Sequence, residues 1–429
     1  MGSKPRDKCK MLNVKSNNFS VLKSLKNLAI IFCLGIAAGL PLALILSTLK
    51  ALLLEKGFDL KTIGFFSLIS LPYSLKIFFA PAIDSLSIPF LTKKIGQRKS
   101  WLILTQSCLV IFIAALGTSG ILADIGAIAI FALLIAFASA SQDIVIDAYR
   151  IELIEKENQG IAASLYVYGY RVGMLISGAL ALALSEIFGW DVIYFFMAAI
   201  MATAIFVTLL APETRKNWQQ PSHNFFAWFK NSVINPFIDF TRKPRWYLLI
   251  AFVICFKLGD AFAGTLTLPF LLEIGFSKIE IASIVKTFGL FATLFGVFCG
   301  GVLVKKLGIE KSLWIAGSAQ MLSNLAFCYL AQIGYDPNTL YFVVFVENFS
   351  GGIGDSVFVA YLSSLCNLAF SATQYALLSS CATLARSVLS SSAGVFAQDF
   401  GWYNFFLFST AIAIPGLIFL ALTKNQKTN

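Results

Sequence analysis

Histidine is nearly missing from this chain: His223, in a polar loop, is the single one in 429 residues. That removes HExxH zinc sites, His-based triads and most general-base chemistry from consideration. Charge is scarce too, at 13% Asp, Glu, Lys and Arg, against about 25% in a soluble domain. The eight cysteines form no CxxC pair, and all but Cys9 lie in apolar runs. They read as small core residues, not as a disulfide framework or a metal site. No GxxxxGK[ST] stretch is present, which argues against ATP hydrolysis by the chain itself. Nothing in the pattern calls for a cofactor.

What fills the chain instead is apolar sequence. Hydrophobic residues make up 58% and the mean hydropathy is +0.79. Runs of about 20 apolar residues recur along the whole length, each long enough to cross a bilayer of about 30 Å. A β-barrel would show short alternating segments instead. The expected fold is an all-α integral membrane protein of twelve transmembrane helices. The spans are placed at 28–49, 61–83, 100–122, 125–149, 158–186, 189–210, 246–272, 278–303, 312–333, 338–366, 371–397 and 402–423. The basic N-terminal stretch, 1–27, followed by a full-length span, reads as a tail and an uncleaved first helix.

Basic residues are distributed unevenly between the loops. With both termini assigned to the cytoplasm, 24 of the 33 Lys and Arg lie inside, 4 outside and 5 within spans. The positive-inside rule then sets the orientation. It also accounts for the formal net charge of +11: the basic residues face anionic lipid headgroups, and nucleic acid is not implied. The stretch 211–245 carries Phe225, Phe226, Trp228, Phe229, Phe237 and Phe240 among basic residues. It reads as an amphipathic linker on the cytoplasmic interface, with partner binding as the other reading.

The chain repeats itself. Lys93-Lys94-Ile95-Gly96-Gln97-Arg98-Lys99-Ser100 returns 212 positions later as Lys305-Lys306-Leu307-Gly308-Ile309-Glu310-Lys311-Ser312. Gln142-Asp143-Ile144-Val145-Ile146-Asp147-Ala148-Tyr149 returns at the same offset as Gly354-Asp355-Ser356-Val357-Phe358-Val359-Ala360-Tyr361. Two matches at one spacing point to two copies of a six-helix half, 28–210 and 246–423, followed by a short tail, 424–429. Many transporters are built so.

Ionisable residues at membrane depth are functional candidates by default. Here they are Lys76, Asp143, Asp147, Arg171, Lys257, Asp260, Lys286, Glu347, Asp355 and Arg386. Three pairs correspond across the repeat: Lys76 with Lys286, Asp143 with Asp355, and Arg171 with Arg386. Symmetric charges suit a scaffold or a moving interface. Asp147, Lys257, Asp260 and Glu347 break the symmetry, as coupling and substrate recognition must. Lys257 and Asp260, three apart on one helical face, can pair with each other. Asp260 or Glu347 can instead carry a proton. Glu347 precedes Gly351, Gly352 and Gly354, which permit close helix contact or a local break. Arg171 and Arg386 present donor forks suited to carboxylate or phosphate. Asp147, Arg150, Asp84, Arg98 and Lys99 gather at the cytoplasmic ends, either as a clamp on one access state or as a solvated basic face.

Asp84 with Lys93-Lys94-x-Gly96-x-Arg98-Lys99 resembles the loop 2–3 signature of the major facilitator superfamily, with a longer gap between Asp and Gly. Longer stretches resemble the AmpG-type muropeptide permease family. They include Pro72-Tyr73-Ser74-Leu75-Lys76, Gln142 to Ala148, Gly169-Tyr170-Arg171-Val172-Gly173, Lys257 to Gly264, Glu347-Asn348-Phe349-Ser350-Gly351-Gly352, and Phe370 to Ser379. The resemblance implies the major facilitator fold and proton-driven import of anhydro-muropeptides through a bacterial inner membrane, by a monomer. It extends to relatives that carry acyl-CoA. Gln142, Asn348, Gln374 and Tyr170 are then candidates, beside the arginines, for hydrogen bonds to a disaccharide. Asp355 departs from the family pattern, where a small neutral residue is expected. A membrane enzyme acting on lipid-linked sugars is the alternative of another class. It would need carboxylates or metal ligands near the headgroups, whereas these acids lie deeper and are matched by bases.

Overall fold

The computed structural model describes residues 5–59, 62–63, 66–122, 124–214, 224–390 and 392–424. His223 and part of the linker, 215–223, lie outside them. Among the described residues, nine helices are long and apolar enough to cross a bilayer. One of these, Lys278–Ile333, carries two expected spans, the eighth and ninth. Gly308 divides them, with φ +78°. The second span is broken into Phe66–Ser70, Leu71–Ser74 and Lys76–Ser85, and the eleventh is the helix Ser371–Ser390. Each of the twelve expected spans therefore has helical counterparts. The eleventh is interrupted after Ser390, and its expected end, 393–397, belongs to a short helix that Gly401, at φ +74°, divides from the twelfth span.

Local chemistry starts these helices where the loops allow it. Asp124 accepts from the backbone of Gly126 and Ala127 ahead of span four. Ser277 and Glu280 form a capping box at span eight. Asp336 accepts from the N–H and hydroxyl of Thr339 at span ten. Those Thr339 bonds hold its carboxyl below the usual range. The sequence repeat is also a structural one. Gly96 and Gly308 both adopt positive φ, where a side chain would strain the turn. In both copies the serine four residues on donates its hydroxyl back to the glycine carbonyl.

Within a half, glycines bring helices into backbone contact. Gly35 and Gly39 of span one face Gly169 and Gly173 of span five. A Cβ on Gly39 would stand 2.0 Å from the Tyr170 carbonyl oxygen. Gly296 and Gly300 of span eight meet span ten in the same way. All three pairs are GxxxG, the spacing that lets apolar helices associate where lipid supplies no hydrophobic drive.

Four apolar clusters show how the halves meet. On the face opposite the basic loops, one cluster draws only on the first half (Leu44, Ile113, Met197 and neighbours). Another there draws only on the second half (Phe270, Phe327, Phe406 and neighbours). On the basic side the clusters cross: Val297, Ala372 and Ala376 pack into the first half, and Ile151 and Ala163 into the second. The molecule is thus closed on its basic face and parted on the other. Outside this core, Phe78, Phe206, Phe291 and Phe298 are exposed, as a lipid-facing surface requires.

Gly39→Ala is expected to lower stability by about 1–3 kcal/mol, because two backbones must separate to admit the methyl. Thermal unfolding of the purified protein checks this, and an unchanged midpoint would contradict the close crossing.

Candidate functional site

Two charged layers lie between the halves. The first is at the basic face, and its centre is Arg98, which is fully buried. Its guanidinium donates to Asp84 at 2.7 Å and to Glu152 at 2.7 Å. The same nitrogen reaches the Ser371 hydroxyl at 3.1 Å. Ser371 in turn donates to Glu152 at 2.6 Å. The second Asp84 oxygen accepts from the Thr373 backbone N–H and hydroxyl, at 3.2 and 3.0 Å. Asp84 therefore caps the start of span eleven, where helix N–H groups are free and favour an anion. Deeper in, Arg150 pairs with Asp147 at 3.3 Å and donates to Ser363 across the interface at 2.8 Å. Its guanidinium lies over the rings of Tyr166 and Tyr375, a placement suited to cation–π attraction. Ser164 and Ser356 close the next layer at 2.6 Å.

The basic ends are thus packed between the halves and not a fully solvated face. Of the residues expected there, Asp84, Arg98, Asp147 and Arg150 are all buried. Lys99 is not among them and donates to the Leu209 carbonyl. Sequence reasoning missed Glu152, Ser371 and Thr373. It also missed Glu213, whose carboxylate accepts from the backbone of Arg98 and Lys99.

The second layer is a cavity of about 320 Å³, at the lower end of the range for ligand sites. Arg171 lines it from the first half; Lys286, Glu347, Asn348, Thr267 and Gly264 line it from the second. Lys286 is carried on a π-helical stretch, Ala282–Phe288. Such wider turns recur at functional sites because they re-aim a side chain. Asn348 donates to Glu347 at 3.3 Å and accepts from Thr293 at 3.1 Å. Gly264 and Gly351 leave open space, since a Cβ on either meets nothing within 4 Å. Gly352, one residue on, packs against the Thr293 carbonyl instead. A larger hollow of about 490 Å³ lies under the linker. Among the described residues its charged lining is Lys243 and Glu310 alone, not a convergent set.

Lys257 does not pair with Asp260, as their spacing allows. It bonds to Asp355, which also accepts from Arg171 at 3.0 Å. The seventh helix breaks at Lys257, which turns the amine away from its own carboxylate neighbour. Asp260 accepts a long 3.4 Å bond from Gln320 and lies in the field of Lys257, Asp355 and Arg386. Arg386 donates to Ala382 and Thr383 of its own helix, and it is not among the cavity residues. In the first half, Asp143 and Asp147 share the field of Lys76.

Three expected sugar contacts are placed elsewhere. Gln142 is buried and donates to the Ala37 carbonyl inside the first half. Gln374 is buried and donates to Asp239 and Pro236 of the linker, while accepting from the Asn367 backbone. Its amide ties the linker to loop 10–11. Tyr170 is half-buried beside Tyr166, ring centres 6.2 Å apart. The linker is amphipathic where described. Phe240 is buried, Phe226 is exposed, and Trp228 donates to Ser85.

Arg98→Gln leaves Asp84 and Glu152 buried without their cation. It is expected to destabilise the closed face by about 3–5 kcal/mol. Amide exchange of residues 367–375 should accelerate, and unchanged exchange would show that another contact holds the face. Gly351→Phe is expected to fold normally and fill the cavity, whereas Gly352→Ala should unfold at lower temperature. Equal stability of the two variants would contradict the assignment of these neighbouring glycines.

Residues 31–390 match the Major Facilitator Superfamily. The chain is 41% identical over 398 residues to the anhydromuropeptide permease of Escherichia coli, covering 92% of this chain and 79% of that protein. It is 40% identical over 402 residues to a protein called AmpG 4 in Rickettsia felis, covering 93% and 96%. Among solved structures, the human organic anion transporter MFSD10 superposes with a TM-score of 0.69 at 16% identity, over 92% of this chain and 99% of that one. At that identity the likeness speaks for the fold alone. A helical bundle with charged layers between its halves, matched over nine-tenths of its length, is a multi-pass transporter: the chain belongs to the AmpG permease family of the Major Facilitator Superfamily.

Proposed function

We propose that this protein imports anhydro-muropeptides, N-acetylglucosaminyl-1,6-anhydro-N-acetylmuramic acid with or without its peptide, together with protons. The observation that carries the reading is the cavity between the halves, reachable while the basic face is closed. Taking the basic face as cytoplasmic in a bacterial inner membrane, this is the state that loads from outside. Rocking of the halves about the cavity would then deliver the cargo inward.

The ionisable groups around the cavity fit an anionic sugar. Arg171 and Lys286 line the cavity against Glu347, one cation in excess. The lactyl carboxylate of anhydro-muramic acid supplies the missing charge, with Arg171 and Lys286 as its partners. Asn348 and Thr267 offer amide and hydroxyl groups to the sugar. Glu347 is the proton carrier in this reading. It lines the cavity beside Lys286, so its ionisation changes the charge that the substrate meets. Asp260, which does not line the cavity, is the second candidate.

Uptake of labelled disaccharide into proteoliposomes tests this. An inward proton gradient is expected to drive accumulation. Glu347→Gln should reduce uptake to the rate seen without a gradient while binding persists. No uptake by well-folded protein would overturn the cargo and point to another organic anion, an acyl-CoA among them.

A further inference from the structure

Among the described residues, Asp355 is the carboxylate that joins the two halves at mid-membrane. One of its oxygens takes Lys257 of its own half, and the other takes Arg171 of the first half. It lies on the cavity face of span ten, since Asn348 and Asp355 are seven residues apart and project alike. Gly351, between them, leaves the space above that face open. The link can be reached from the cavity: the Arg171 side chain is 36% exposed and that of Asp355 is 26% exposed. Among the described residues, Arg171 is also the only cavity-lining one contributed by the first half.

From this placement we infer that Asp355 is an internal surrogate for the substrate anion. It occupies Arg171 while the cavity is empty and yields it when a ligand carboxylate arrives. The inference rests on the transport reading of the cavity and adds a selectivity residue to it. Two consequences follow from competition for one guanidinium. The empty protein keeps its halves joined across the cavity, which opposes rocking without cargo. An arriving anion must outcompete Asp355, so neutral sugars gain nothing from Arg171 and leave the link intact. Once displaced, Asp355 is not stranded, because Lys257 remains beside it. The ligand then bridges Arg171 of one half and Lys286 of the other. A ligand of the chemistry required carries at least one carboxylate that can lie near Arg171.

The test uses the full chain in lipid nanodiscs. Binding of the anhydro-disaccharide is measured beside its methyl ester, which lacks the negative charge. Asp355→Asn is expected to tighten binding of the acid about fivefold or more, in the range of site-to-site coupling, and to leave the ester unchanged. Arg171→Gln should weaken the acid, and in the double variant the gain from Asp355→Asn should vanish. Unchanged or weaker acid binding by Asp355→Asn would overturn the proposal, as would equal effects on acid and ester. Asp355→Glu keeps the charge and should bind as the parent does. It shows that the site tolerates substitution.

A second arm separates this inference from the choice of cargo. Where the parent binds no disaccharide, the cargo reading fails. Amide exchange of residues 367–375 without ligand then decides. Faster exchange in Asp355→Asn supports a link that holds the closed state. Unchanged exchange sinks it.

Discussion

The guanidinium of Arg98 sets the state in which this molecule stands. It is wholly out of water, and a buried cation is tolerable only where carboxylates or other acceptors are held against it. Asp84, Glu152 and Ser371 answer it, and Ser371 comes from the other half of the chain. The closed face is therefore a condition of keeping this charge buried. When the halves part there, Arg98 loses one partner of three and gains water. That is a small enough change to be reversible. Arg98 can stay with Asp84 and Glu152 in both states, so the seam opens without stranding a charge.

The rest of the architecture follows from that closure. Apolar clusters merge across the halves only on the side of the seam. On the other side each half keeps its own core. The wedge between them ends at the cavity that holds Arg171, Lys286 and Glu347. GxxxG crossings stiffen each half within itself, so motion is concentrated at the interface between them. Asp355 sits at the bottom of the wedge, where it couples the occupancy of the cavity to the union of the halves.

Much of this was legible in the residues. The duplicated Lys-Lys-x-Gly segment pointed to two copies of one half, and Gly96 and Gly308 share their backbone conformation. The charged positions could be read because any ion in an apolar run stands out. Their partners could not. Lys257 and Asp260 share a helical face, yet a break in that helix sends Lys257 to a carboxylate 98 positions away. Helical periodicity cannot foresee a break of that kind. Glu152, Ser371 and Thr373 escaped notice because each lies at a helix end, where polar residues are ordinary. Gln142 and Gln374 looked like sugar ligands because both are amides beside family motifs. In the fold both bond to backbone carbonyls, which need donors wherever a helix or linker is buried.

The most direct measurement of the central claim is the distance between loop 2–3 and loop 10–11, read by electron paramagnetic resonance between labels on each, in nanodiscs. The account predicts one short distance in the empty protein. Saturating anhydro-disaccharide at acidic pH should add a longer distance as the basic face opens. A single unchanged distance with ligand demonstrably bound would contradict a transporter whose two halves are held by this seam and released by cargo.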